Sequence, residues 1–151
     1  MPAVDTMTRQ QVGRGCLLGA LVGDAAGATL EFLDEKPNRD DAKRALGMVG
    51  GGYWRTAPGQ ITDDGEMALC LARALAGSST FPIEKIACEY LKWYQSLPFD
   101  MGKTTAAGLE GGLRSAAGSV HRGMWRAAEQ HEESKANGAL MRAAPLGIWG
   151  W

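Results

Sequence analysis

The sequence predicts an all-α domain, and three observations carry that prediction. No stretch alternates apolar and polar residues with period two, so no strand pattern is present. Apolar residues instead recur at three- and four-residue steps, bounded by glycines, prolines and polar caps. The 21 glycines are dispersed within apolar, alanine-rich segments, a pattern that suits close helix-to-helix contact rather than disorder. At 151 residues, with no linker, internal repeat or low-complexity tract, the chain reads as one domain over residues 1–151.

Taken in order, residues 9–31 read as a first helix, with Gly15, Gly19, Gly23, Gly27 and then Glu31 at four-residue steps. Such a row drifts only about 40° per step and forms one stripe. Each glycine costs about 0.5–1 kcal/mol against alanine, so the stripe is expected to receive a neighbouring core helix. Asp24 stands beside it among Leu, Val and Ala, either exposed, bonded to a backbone group or buried as a functional acid. Residues 34–46 are mostly charged and predict a short exposed helix ending at Gly47. The loop Gly50-Gly51-Gly52-Tyr53-Trp54 follows, able to approach a ligand closely, with aromatics that stack on a ligand or cover a core edge.

A buried helix over 63–75, whose stretch from Met67 to Leu75 is apolar except for Arg73, stops at Gly77. Pro82 opens the next helix, which presents Ile83, Ile86, Ala87, Tyr90 and Trp93 and ends before Pro98. Asp100, Thr104 and Thr105 lie on a loop opening a helix over 106–117, whose Gly108 and Gly112 are placed to meet the first stripe. A short amphipathic piece spans 124–129, and Asn137–Gly147 opens a last apolar helix. Arg142 in that setting can pair with a buried acid or hold a phosphate. The chain stops at Trp149-Gly150-Trp151 in an apolar helix, so it is expected to be truncated there and to self-associate or need a complementing C-terminal segment.

The densest chemistry is Thr62-Asp63-Asp64-Gly65-Glu66 at a loop-to-helix boundary. Adjacent carboxylates carried into a core repel one another unless a cation joins them, and Mg²⁺ selects carboxylate and hydroxyl oxygens. The same residues also satisfy a capping box, Asp63 as cap and Glu66 three residues on. Spacing alone leaves both readings open.

The totals exclude other classes. A formal charge of -1 points to neither nucleic acid nor an anionic membrane. Cys16, Cys70 and Cys88 lie in apolar helical patterns with no CxxC, which reads as reduced core thiols in a cytoplasmic protein. His121 and His131 have no metal-ligand spacing and read as surface residues. The longest apolar run, 16–22, is too short to span a bilayer, and residues 1–11 lack the apolar core of a signal peptide. Gly13-Arg-Gly15 is not a dinucleotide fingerprint, since no strand precedes it.

Four blocks in register resemble the ADP-ribosylglycohydrolase family: Gly19–Glu31, Pro58–Met67, Asp100–Thr105 and Asn137–Pro145. That resemblance implies an orthogonal all-α fold around a dinuclear Mg²⁺ (or Mn²⁺) centre with the ADP-ribose diol beside it. By position, Thr62, Asp63 and Asp64 resemble the first metal-ligand set. Glu31 resembles an acid beside the metals, and Asp100 one facing the ribose. Gly51, Gly52, Tyr53, Gly102, Asn137, Gly138, Met141 and Arg142 are similar to parts of the substrate cleft. The implied substrate is an ADP-ribosylated protein or a small ADP-ribose derivative. Two departures stand out. The family's distal Asp-x-Asp-Thr/Ser block does not occur in this sequence, which leaves the second metal position incomplete; Lys103 replaces an Asn-like residue. The expectation is therefore a metal-dependent hydrolase of the ADP-ribosyl glycosidic bond, with a non-catalytic structural or ADP-ribose-binding relative as the alternative.

Overall fold

The structure is a computed structural model and describes residues 8–151. Its helices are α1 (Arg9–Gly27), α2 (Arg39–Leu46), α3 (Asp63–Leu75), α4 (Ile83–Gln95), α5 (Lys103–Leu113), α6 (Val120–Glu129) and α7 (Ala144–Trp149), with a 3-10 turn (Ala28–Leu30) continuing α1. Among the described residues the only extended pairing is an isolated antiparallel bridge between Gly51 and Thr56, so the all-α prediction holds.

α3 is the centre of the core. Met67, Ala68, Cys70, Leu71, Ala74 and Leu75 are all buried, as a helix apolar on most faces requires. Met67 and Cys70 join Trp93 of α4 and Leu109 of α5, with Tyr90, Met101, Met124 and Met141 packed against them. Leu71, Ala74 and Leu75 close a second cluster with Ile86. α3 ends as predicted, with Gly77 in the left-handed region at φ 72°. Elsewhere the boundaries move. α5 begins at Lys103, and residues 138–142 form turns ahead of a short α7 instead of a continuous helix.

The glycine stripe behaves otherwise than predicted. A Cβ built on Gly15, Gly19, Gly23 or Gly27 would meet no atom within 4 Å. No helix of the described chain seats on that stripe. Nor does α5 reach it. The close helical approach is between α5 and α6, where a Cβ on Gly111 would fall 2.5 Å from the Gly123 carbonyl oxygen. Glycine spacing marks a face able to accept a neighbour; it does not supply one.

Two smaller expectations also need correction. Cys70 is buried and Cys88 half-buried, but Cys16 is exposed, because its face of α1 is uncovered. His121 is no free surface residue. Glu84 of α4 accepts the Val120 and His121 amides at 2.9 and 3.0 Å and meets His121 Nδ1 at 2.5 Å, capping α6 from another helix. His131 is exposed as predicted. Trp149 donates its indole N–H to the Ser78 carbonyl at 2.8 Å and packs edge-on to Phe81. No described helix is long and apolar enough to cross a membrane.

Candidate active site

α3 does not cap itself. Its N-cap residue, Thr62, makes no capping bond to its own helix. Asp24, reaching across from α1, does that work instead. Its Oδ2 accepts the Thr62 and Gly65 backbone N–H groups at 2.9 and 2.8 Å, and its Oδ1 accepts the Thr62 hydroxyl at 2.7 Å. A carboxylate on helical N–H groups is favoured by charge-assisted bonding and by the helix dipole. Glycine at 65 is what lets Asp24 in, since a Cβ there would lie 2.5 Å from Asp24 Oδ2. The proposed Asp63–Glu66 capping box is therefore absent. Glu66 instead accepts the Trp93 indole N–H at 2.6 Å, across α3 and α4.

With the amides taken by Asp24, Asp63 and Asp64 are left for other use. Thr62 is fully buried and Asp63 is 7% exposed, whereas Asp64 is half-buried and opens onto a cleft of about 330 Å³. Asp24, Glu31, Gly23, Gly27 and Met141 share its lining. The uncovered end of the glycine stripe is thus the cleft floor. Glu31 anchors one oxygen on the Trp54 indole N–H at 2.9 Å.

These acids perturb one another. Burial first, then the charges of Asp63, Asp24 and Glu31, push Asp64 up to about 6. Burial, then Asp63, Glu31, Asp64 and Asp24, push Asp100 up to about 7. Glu31 is raised by burial, opposed by its Trp54 bond. Arg142 does not neutralise them. Among the described residues it forms no ion pair; its guanidinium donates to the Gly138 carbonyl and to Thr105 Oγ1 and lies 5.3 Å over the Tyr90 ring. Of the two readings open for Arg142, pairing with a buried acid is not made, because the turn at 138–142 spends the guanidinium on its own backbone and on Thr105. Burial lowers its pKa, opposed first by Tyr90 and then by the fields of Asp63 and Asp64.

The remaining predicted residues divide. Met141 lines the cleft and Gly138 packs against Thr105 and Arg142. Gly102 caps α5, and the Asn137 carbonyl closes the following turn by accepting from Leu140 and Met141. Gly52 approaches protein rather than an open ligand site, since its Cβ would lie 2.9 Å from Thr29 Cα. Gly51 is open, and Tyr53 is 65% exposed. Sequence reasoning left Asp24 undecided and gave no role to Gly65, Phe32 or Phe99. Only the Asp-Asp-Gly spacing hinted at Gly65.

The donor set bears on a metal. Among the described residues no three His, Cys, Asp or Glu side chains stand close enough to hold an ion alone. Two adjacent carboxylates and the Thr62 hydroxyl, all oxygen, nevertheless fit one side of a hard divalent ion that keeps part of its water shell. The Thr62 hydroxyl gives its proton to Asp24, so its lone pairs remain available.

Residues 5–151 match the family model described as ADP-ribosylglycohydrolase. The chain is 38% identical to an ADP-ribosyl-[dinitrogen reductase] glycohydrolase of Rhodospirillum rubrum, over 89% of this chain and 43% of that protein. It is 37% identical to the ADP-ribosylarginine hydrolase Tri1 of Pseudomonas putida (strain GB-1), over 95% and 38% respectively. A putative ADP-ribosyl glycohydrolase, L543, of Acanthamoeba polyphaga mimivirus is 34% identical over 85% and 38%. The matched region thus amounts to about two fifths of each relative's length.

Proposed function

This chain belongs to the ADP-ribosylglycohydrolase family, and from that premise we propose that its acidic cleft hydrolyses the glycosidic bond joining ADP-ribose to a protein acceptor. One observation carries the reading: Asp24, Glu31 and Asp64 line one cleft at the N-terminus of a buried helix, next to the buried Asp63, and Arg142 is paired to none of them. Asp24 serves the fold as the cap of α3, but Glu31, Asp63 and Asp64 stand close by with no cation of the described chain paired to them, which costs stability and suits a site.

In this reading Thr62, Asp63 and Asp64 hold Mg²⁺ or Mn²⁺. When bound, such an ion supplies charge stabilisation and orients the ribose hydroxyls. The chain's own groups do the rest. Asp24 fixes Thr62 and the first turn of α3 through three hydrogen bonds. Trp54 holds Glu31 Oε2, leaving Oε1 to take a proton from a water in the cleft. In this reading Asp100, raised by the charges of the same acids, bonds a ribose hydroxyl as positive charge develops on the ring.

The test is release of free ADP-ribose from an ADP-ribosylated arginine substrate, with Mg²⁺ or with EDTA. The expected result is Mg²⁺-dependent release that Glu31→Gln lowers by about 100-fold or more. The open donor set favours a second reading, a relative that binds ADP-ribose without turnover. Binding with no release in either condition selects it, and neither binding nor release removes both.

A further inference from the structure

The N-terminal end of α4 carries a second concavity, different in character from the acidic cleft. It holds about 470 Å³ between α4 and α6, lined by Ile83, His121, Arg122, Trp125, Arg126 and Glu129. None of these residues lines the cleft. Glu66, at the cleft end of α3, bonds Trp93, which lies about 15 Å along α4 from Ile83.

Spacing on α6 builds the second site. His121, Trp125 and Glu129 fall at four-residue steps in one row, and Arg122 and Arg126 share the next. Like charges one turn apart cost a helix about 0.2–0.5 kcal/mol. No carboxylate offsets that cost, since among the described residues neither guanidinium has a salt-bridge partner or stacks on a ring. The two nearby acids are engaged elsewhere. Glu84 accepts the amides that open α6 and meets His121 Nδ1, while Glu129 accepts the Trp125 indole N–H at 2.7 Å. That last bond fixes the indole although Trp125 is 64% exposed, and Ile83, 42% exposed, adds an apolar wall.

Exposed arginines alone are ordinary; a concavity of ligand size that joins them to a fixed ring and an apolar wall is not. Two guanidinium groups one turn apart offer charged N–H donors to a phosphate, and an indole face beside them stacks a planar base. We propose that this concavity binds a nucleoside phosphate, with the phosphate on Arg122 and Arg126 and the base against Trp125. The site needs neither the metal nor the hydrolase reading, and a nucleotide held there leaves the acidic cleft open.

The test uses the intact chain with ¹⁵N-labelled tryptophan, in EDTA, and AMP, ribose 5-phosphate and inorganic phosphate as probes. The Trp125 indole N–H resonance, assigned by its loss in Trp125→Phe, should shift as AMP is added. The two probes without a base should bind about 5- to 50-fold more weakly than AMP. Arg122→Gln with Arg126→Gln should weaken AMP binding about 10-fold or more. Both side chains are exposed, so the fold should survive, and circular dichroism checks that. No Trp125 shift with AMP, or undiminished AMP affinity in the double variant, overturns the site. Equal affinity for AMP and inorganic phosphate overturns the nucleoside assignment. A Trp125 shift with a polyglutamate peptide and none with AMP overturns it too, giving the face to an acidic protein segment. A shift confined to Trp54 and Trp93, which bond Glu31 and Glu66, would place the nucleotide in the cleft and remove the second site.

Discussion

Replacing Asp24 by alanine removes the carboxylate that starts α3. Three donors lose their acceptor: the Thr62 amide, the Gly65 amide and the Thr62 hydroxyl. Thr62 is fully buried and Gly65 is buried, so water does not readily replace the lost oxygens. A buried donor left unsatisfied costs about 1–3 kcal/mol, and the helix dipole loses its counter-charge. The site can relax partly, so the expected total is about 3–5 kcal/mol, or roughly 6–20 °C in Tm for a chain of this size. Asp24→Asn should cost much less, about 1–2 kcal/mol, because one amide oxygen can still accept both backbone N–H groups. Its NH₂ would then face the Thr62 oxygen and occupy the lone pairs a metal would use. Thermal unfolding followed at 222 nm, in EDTA, reads both variants. An Asp24→Ala protein melting within about 2 °C of the parent would refute the cross-helix cap.

Two further outcomes follow from the same geometry. Asp100 is raised to about 7 in the folded chain, above its unfolded value, so its contribution favours folding at low pH and is lost as pH rises through about 7. In EDTA, Asp100→Asn should therefore raise Tm at pH 8, with the gain shrinking as pH falls from about 7 toward 4; a gain independent of pH would contradict the shared field of the acids. Gly15→Ala and Gly19→Ala meet no atom within 4 Å and should stabilise the chain by about 0.5–1 kcal/mol each in denaturant unfolding. Destabilisation would show that the stripe is covered after all.

Much of the helical layout was legible because α3 and α4 bury dense apolar faces, and such faces declare their period. Some of the acids were legible as neighbours too: Glu31 and Asp64, far apart in sequence, line one cleft, and Asp100 lies within their field. Whatever depends on a partner distant in sequence was not. The Asp63–Glu66 spacing fits a capping box, but Asp24 lies 38 residues from Thr62 and takes the amides first. Trp93, 27 residues from Glu66, then takes that side chain. The cluster of Phe32, Tyr53, Trp54 and Phe99 draws on three separated segments, and no local pattern signals it. The glycine stripe shows the converse failure. Its spacing was read correctly as one small-residue face, yet spacing holds no information about what lies opposite.

The claim on which the account rests is that Thr62, Asp63 and Asp64 grip a divalent cation. Its most direct measurement is the Tm of the intact chain as Mg²⁺ is added, beside the Asp63→Asn/Asp64→Asn variant. Ligand at about 100 times its Kd stabilises by about 2.7 kcal/mol, so the parent should gain roughly 5–10 °C. The variant should gain none. An equal Mg²⁺ response in both proteins would contradict the assignment.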